Sequence, residues 1–393
     1  MTLRELADAV GVGEYNPILE STYAGMTFTD DPAVDIGLID SLEEEWNLFG
    51  EFYDLVRTVG VQINGDKERS LWVKVTAKHV IDHPVNDARK VPAPAFDGTV
   101  ITNMLPFYAQ LPSIPLGIAE YLRRGFTREQ VTSMMGCYRS SLKIIKRRTG
   151  IPGMDKIYYN WDMLFTKARI FKAAGLQFEL RTAPKDVVYL KNRQTGQVLP
   201  VMNGGTVHRS GIQILGSQGY EDEEGAYQAV FREDPEAFYG YGVFDNRVDK
   251  EEKTFCKTQW EAYLRPGDDC LGMHIPRGTD ISPEAVNSCI LAAREMMHKH
   301  YPEFGKAAIY CGSWILDPML ADITGPQSKI TAFLNLFVKY PQKTDGNAVF
   351  MFVFDGKPND LNDLEETTSL HRKLKKLYLE GGCIHPYAGI IIE

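Results

Sequence analysis

Cys270-Leu271-Gly272-Met273-His274-Ile275-Pro276-Arg277-Gly278-Thr279-Asp280-Ile281-Ser282-Pro283-Glu284 reads as a strand, a loop and the start of a helix. The apolar run over 270–275 is a short, buried-type strand. Pro276 and Gly278 mark the loop. Ser282 at the cap position and Pro283 at the first helical position open a helix that reaches about residue 300. The first N–H groups of that helix lack partners within it and favour an anion. Arg277 adds a cation, and Gly278 allows close backbone approach. A phosphate-bearing ligand suits this stretch, although a plain strand–loop–helix connection has the same letters.

Beyond it, 307–316 reads as a strand, followed by a helical stretch to about 340. A strand over 347–354, a helix over 364–379 and a strand over 387–392 complete the chain. The order strand, helix, strand, helix, strand, helix, strand predicts an α/β arrangement with a right-handed crossover. On the other side, Leu176, Phe178 and Leu180 alternate with Gln177, Glu179 and Arg181, which is a strand. Short strands follow over 187–191, 197–202, 206–209 and 238–245, and 221–232 can be a helix. Before Gly175 the pattern is helical. Helices are expected over 1–10, 38–59, 127–148 and 155–174. Thr127 and Gln130 form a capping box. Six prolines between 84 and 115 predict extended or irregular chain there. The expected domains are a mainly helical 1–175 and a mixed-sheet 176–393, which makes the fold α+β or α/β.

The 393 residues carry a formal net charge of −9. That total argues against a dedicated nucleic-acid binder. The acidity is local. Met1–Leu55 holds thirteen acidic residues and one basic residue, Arg4. The remaining 42 basic and 39 acidic residues nearly cancel. The basic run 123–148 holds eight Lys/Arg against Glu129 alone. It lacks the interleaved aromatics of a nucleic-acid groove and could instead meet the acidic segment. No apolar run reaches the 18 residues of a membrane span. The start lacks a signal peptide's basic and apolar regions. Six cysteines (137, 256, 270, 289, 311 and 383) show no metal-type spacing, so reduced thiols and a cytoplasmic location are expected. His79 and His83 have a ligand-like spacing, but no Glu lies between them and Pro84 follows at once. No metal is expected.

A second stretch, Ile309-Tyr310-Cys311-Gly312-Ser313-Trp314-Ile315-Leu316-Asp317-Pro318, puts a thiol, a hydroxyl and an indole near a strand end. Alternation sets Cys311 and Ser313 on one face, with Tyr310 and Trp314 facing the other way. In open α/β sheets ligands gather outside the carboxyl ends of strands. Cys311 could equally be a small buried hydrophobe, and Trp314 a core filler.

Leu264-Arg265-Pro266-Gly267-Asp268, His274-Ile275-Pro276 and Cys311 through Pro318 together resemble a bacterial acyltransferase-like family. Its members pair a helical N-acyltransferase N-terminal domain with a GNAT-like C-terminal domain. The join, Ala168-Arg169-Ile170 through Leu176-Gln177-Phe178-Glu179, is similar too. The resemblance implies a mixed sheet with helices on both faces. It implies an acyl-coenzyme A co-substrate lying where two parallel strands splay apart, and 270–275 and 307–316 are the candidates for those strands. Met273, Ile275 and Trp314 would line the pantetheine arm. Arg277, Gly278 and Thr279 would meet the pyrophosphate. The usual GNAT signature, Gln/Arg-x-x-Gly-x-Gly/Ala, is absent, and the loop offers Gly278 alone.

The implied reaction moves an acyl group from a thioester to an amine of a small molecule or peptide. His274 is the candidate base, since imidazole titrates near neutrality. Ser313 is a candidate proton relay. Cys311 could form an acyl-enzyme if His274 lay beside it. The alternative is a non-catalytic protein that binds acyl-coenzyme A or a partner without turnover.

Overall fold

The computed structural model describes residues 1–13, 16–213, 224–305, 307–343 and 346–392. The chain forms two compact units, Met1–Phe171 and Lys172–Glu393.

The first unit is helical. Its principal helices are α1 (Leu3–Ala9), α2 (Ile36–Trp46), α3 (Tyr53–Asn64), α4 (Lys67–Asp82), α5 (Val100–Gln110), α6 (Ile114–Arg123), α7 (Arg128–Met135), α8 (Cys137–Thr149) and α9 (Lys156–Thr166). Three expectations change here. The stretch 38–59 is two helices, because Asn47 and Gly50 take positive φ between them. The stretch 127–148 is also two, divided at Gly136, though the capping box of Thr127 and Gln130 forms as expected. The proline-rich stretch holds α5 and α6. Pro115 lies in the first turn of α6, where a missing N–H costs little. Pro106 lies inside α5, whose residues from Thr102 to Gln110 are all buried. Burial of that whole run outweighs the helix-breaking tendency of one proline.

The basic run does meet the acidic segment, mostly through backbone and rings. Arg128 donates to the Glu45 carbonyl, and its guanidinium lies 4.2 Å over the Trp46 ring. Arg139 donates to the Asn47 carbonyl at 2.9 Å. These carbonyls end α2, where cations suit the helix dipole. The surface pair of Lys143 and Glu51 is looser, at 3.9 Å.

The second unit is built on two sheets. Its main strands are β1 (Ile170–Ala173), β2 (Leu176–Thr182), β3 (Val187–Asn192), β4 (Val198–Met202), β5 (Ala237–Phe244), β6 (Lys253–Cys256), β7 (Trp260–Leu264), β8 (Asp269–His274), β9 (Ala308–Ser313), β10 (Phe337–Pro341) and β11 (Tyr387–Ile391). The first sheet has the order β1-β2-β8-β9-β11-β10. The second runs β6-β5-β4-β3-β7, with Arg232–Glu233 and Arg247–Val248 also pairing with β5. In the first sheet β8 and β9 are parallel, joined through helix α10 (Pro283–His300). The pairs β2–β8, β9–β11 and β10–β11 are antiparallel.

Register fixes the faces. Cys270, Tyr310, Ala388, Ile390 and Tyr340 share one face by alternation, and they lie in one core cluster with Tyr189, Val198 and Met202 of the second sheet. That face is therefore covered by the second sheet, not by the expected helices. Helix α10 packs on β2.

Other expectations shift too. The helix of 155–174 ends at Thr166, and Ala168 (φ 50°) turns the chain into β1. The helix over 221–232 does not form. Tyr227–Gln228 and Arg232–Glu233 are short strands, and 221–223 lie outside the described residues. The stretch 317–340 holds two short helices, α11 (Met319–Thr324) and α12 (Lys329–Leu334), before strand β10. The expected strand 347–354 is helix α13 (Ala348–Phe352), and 364–379 contains α14 (Ser369–Leu379). No helix among the described residues is long and apolar enough to cross a membrane.

Candidate functional site

The ladder between β8 and β9 pairs Cys270 with Ala308, Leu271 with Ile309 and Gly272 with Tyr310, and stops there. Both strands continue. β8 stays paired with β2 as far as His274 opposite Gln177. β9 stays paired with β11 as far as Ser313 opposite Tyr387. The two central parallel strands thus part at their carboxyl ends while each keeps its outer neighbour.

A polar group lines one face of this opening. His274 Nε2 lies 3.0 Å from Glu179 Oε2. Glu179 sits opposite Gly272 in the register, diagonal to His274 and on the same face. Gly272 leaves room for the Arg181 side chain, since a Cβ there would come within 2.7 Å of Arg181 Cδ. The Glu179 side chain is 12% exposed and that of His274 is 32% exposed. Arg181 comes within 4.0 Å of Glu179 and lies 4.9 Å over the Tyr310 ring. Gln342 Nε2 donates to the Tyr310 hydroxyl at 3.1 Å. Burial pushes the Tyr310 phenol up to about 12, so it stays protonated at neutral pH. An ionised Glu179 can only accept, so the hydrogen bond runs from His274 Nε2 to Glu179 Oε2.

Cys311 does not join this group. It follows Tyr310 by one residue and therefore faces the opposite side of the sheet from His274. It is buried, and burial pushes its thiol up to about 12. A thiol in that state is a poor nucleophile at pH 7. The expected pairing of Cys311 with His274 is absent. Ser313 shares the Cys311 face, and its hydroxyl accepts the Ile315 N–H at 3.4 Å. Trp314 is not on the strand. It starts the single turn Trp314–Leu316 that Ser313 caps. Met273 is buried, Ile275 is half-buried, and Gly278 stands in the open with φ 82°.

The loop after β8 is occupied by its own contacts. Arg277 lies 3.4 Å from the Asp355 carboxylate and donates to the Val353 carbonyl at 3.2 Å. Thr279 donates to the Gly175 carbonyl at 3.3 Å. Ser282 holds the cap position but does not cap with its side chain. Its hydroxyl goes to Asp280, which also pairs with Lys329 at 2.9 Å. His79 and His83 stack at 3.9 Å in the helical unit, and the described residues contain no metal-binding cluster.

Glu179 and Arg181 were not expected as site residues. Their signal lies in the alternation of β2, whose polar positions would ordinarily face solvent. Both instead stand opposite β8, with the Glu179 side chain largely covered.

A family model of the GNAT-like C-terminal domain matches residues 170–391. The chain belongs to this family. No curated protein matches it. Among solved structures, an acyltransferase in complex with decanoyl-CoA is similar at TM-score 0.66 and 16% identity, covering 100% of this chain and 99% of that one. An acyltransferase mutant in complex with octanoyl-CoA has TM-score 0.65 and 15% identity, with the same coverage. An acyltransferase in complex with decanoyl-CoA and teicoplanin has TM-score 0.65 and 16% identity, again with that coverage. At these identities the likeness shows a shared fold.

Proposed function

We propose that this protein is an acyl-coenzyme A-dependent N-acyltransferase acting in the cytoplasm, with a domain boundary near Gly175. The observation that carries this reading is the parting of β8 and β9 beyond Gly272 and Tyr310. Backbone edges that leave a ladder suit the amide groups of a pantetheine arm, because each exposed N–H or C=O needs a partner. Neighbouring structures of the same fold hold decanoyl-CoA or octanoyl-CoA, which supports a fatty acyl donor. One of them also holds teicoplanin, which supports a small peptide-like acceptor.

Residue roles follow from position. Met273 near the end of β8, Ile275 just after it and Trp314 in the turn after β9 line the arm. Arg277, Gly278 and Thr279 receive the pyrophosphate. The Arg277–Asp355 contact is an exposed ion pair, a class worth about 0–1 kcal/mol, so a polyphosphate competes for Arg277 readily. His274 takes the proton from the attacking amine. Glu179 orients the ring and stabilises the imidazolium that forms. Ser313, beside the opening, relays a proton to solvent.

The test has two parts. Calorimetry with decanoyl-CoA should show saturable binding. Release of free coenzyme A against a panel of amines should then show amine-dependent turnover. Binding without turnover on any amine would instead support a non-catalytic carrier, and absence of binding would defeat the acyl-transfer reading.

A further inference from the structure

We infer that the acceptor is a primary amine, held by the Gln342 carboxamide over Gly312, across the strand opening from His274. This rests on the acyl-transfer reading above and gives that reaction an acceptor subsite. Register puts the two walls of the opening face to face. The last rung of the β8–β9 ladder pairs Gly272 with Tyr310. Two residues further along, on the same face by alternation, stand His274 on β8 and Gly312 on β9. One wall thus carries an imidazole, and the other carries no side chain.

Gly312 does not serve backbone freedom, since its φ is not positive. It keeps a space. A Cβ there would lie 3.0 Å from Gln342 Oε1 and 3.2 Å from the Tyr310 hydroxyl oxygen. Gly312 is exposed and Gln342 is half-buried, so a ligand can reach the space. Gln342 comes to it from two strands away. It follows β10, where Tyr340 pairs with Ala388 of β11, and Ala388 pairs with Gly312. The strand between offers only the methyl group of Ala388 on this face, so a long side chain can cross it. Two hydrogen bonds hold Gln342. Its backbone N–H donates to the Pro386 carbonyl at 3.0 Å, and Nε2 donates to the Tyr310 hydroxyl at 3.1 Å. With Nε2 turned to Tyr310, Oε1 stands beside the space over Gly312, where it accepts and cannot donate.

That arrangement selects the ligand. A neutral primary amine has two N–H bonds besides its attacking lone pair. Between the two walls, one N–H faces His274 and the other faces Gln342 Oε1. The lone pair forms a bond to the thioester carbonyl carbon. The bond from that carbon to sulfur breaks, and its electron pair leaves with coenzyme A. The proton that His274 takes balances the one that the coenzyme A thiol gains. The amide product keeps the N–H on Gln342. A secondary amine has a single N–H, so it leaves one of the two walls without its partner.

Release of free coenzyme A from decanoyl-CoA is measured on the full-length protein with benzylamine, glycinamide and glycylglycinamide, each beside its N-methyl counterpart. The wild-type kcat/KM should favour the primary amine about tenfold, the worth of one hydrogen bond. Gln342→Leu should raise KM for the primary amine about tenfold and erase the preference, with decanoyl-CoA affinity unchanged by calorimetry. Gln342→Glu keeps an accepting oxygen and should keep the preference. Gly312→Ala fills the space and should also raise the amine KM. Equal turnover of the paired amines by the wild-type protein overturns the subsite and leaves acyl transfer standing. A preference that persists in Gln342→Leu does the same, since bulk alone would then explain it. Binding of decanoyl-CoA without turnover on any of these amines, or no binding, overturns the transfer reading and the subsite with it.

Discussion

Asp162 in the helical unit and Glu179 in the sheet unit are both covered carboxylates, in opposite surroundings. Asp162 lies on α9 with no exposed surface. Cys137 and Ser141 face it from α8, and burial pushes it up to about 7. Glu179 has His274 at 3.0 Å and Arg181 within 4.0 Å. A buried charge is retained where cations answer it and is neutralised where none does. The sheet unit sets its carboxylate beside an imidazole and a guanidinium at the open end of its strands. The helical unit holds a carboxyl that burial keeps protonated up to about pH 7.

The largest expected effect removes the working side of this contrast. His274→Ala should lower turnover by about 10²- to 10⁴-fold, the usual range for a general base, with little change in melting temperature. Unchanged turnover would reduce the Glu179–His274 pair to a structural contact.

The next effect tests the other carboxylate. The folded-state pKa of Asp162 lies above the unfolded value of 3.8. Folding therefore takes up a proton between the two values. Stability should fall as pH rises from about 4 to about 7 and then level off, by a few kcal/mol in total. Asp162→Asn should flatten that slope and be the more stable protein at pH 8, as measured by denaturant unfolding across pH. Parallel pH profiles for the two proteins would show that Asp162 is ionised and answered in the fold.

Two smaller effects probe how tightly the helical unit is built. A Cβ at Gly117 would lie 2.4 Å from the Thr166 carbonyl oxygen, a backbone atom with little freedom to move. Gly117→Ala should cost about 1–3 kcal/mol, read as a lower melting temperature. Arg128→Ala should cost about 0.5–1 kcal/mol, the worth of an exposed guanidinium over an indole. A much larger loss would mean that the basic run anchors the acidic segment more firmly than its ring and carbonyl contacts imply.

Legibility in the sequence followed local signals. The helix Pro283–His300 and the strand ending at His274 could be read almost to the residue, because Ser282, Pro283 and a short apolar run coincide there. Residues 170–173 read as the tail of a helix, because an apolar run has no period until Ala168 and Ala174 reveal their positive φ. Residues 337–341 carry no alternation, since all but Val338 are buried, and so resembled a helix. Within the site, His274 announced itself by type and place. Glu179 did not, because its role depends on which residue β8 sets beside it. Gly272, opposite Glu179, leaves the space that the neighbouring Arg181 side chain occupies.

Three rungs of backbone pairing join the two halves of the main sheet, β1-β2-β8 on one side and β9-β11-β10 on the other. This is a seam. A molecule that supplies amides along the missing rungs would stitch it, so the donor substrate becomes part of the scaffold. At a hundred times its dissociation constant, such a ligand adds about 2.7 kcal/mol to the folded state. The seam should therefore show the fastest amide exchange of the sheet in the free protein and the greatest slowing when coenzyme A is added. In this reading the protein is finished, mechanically, by the compound it consumes.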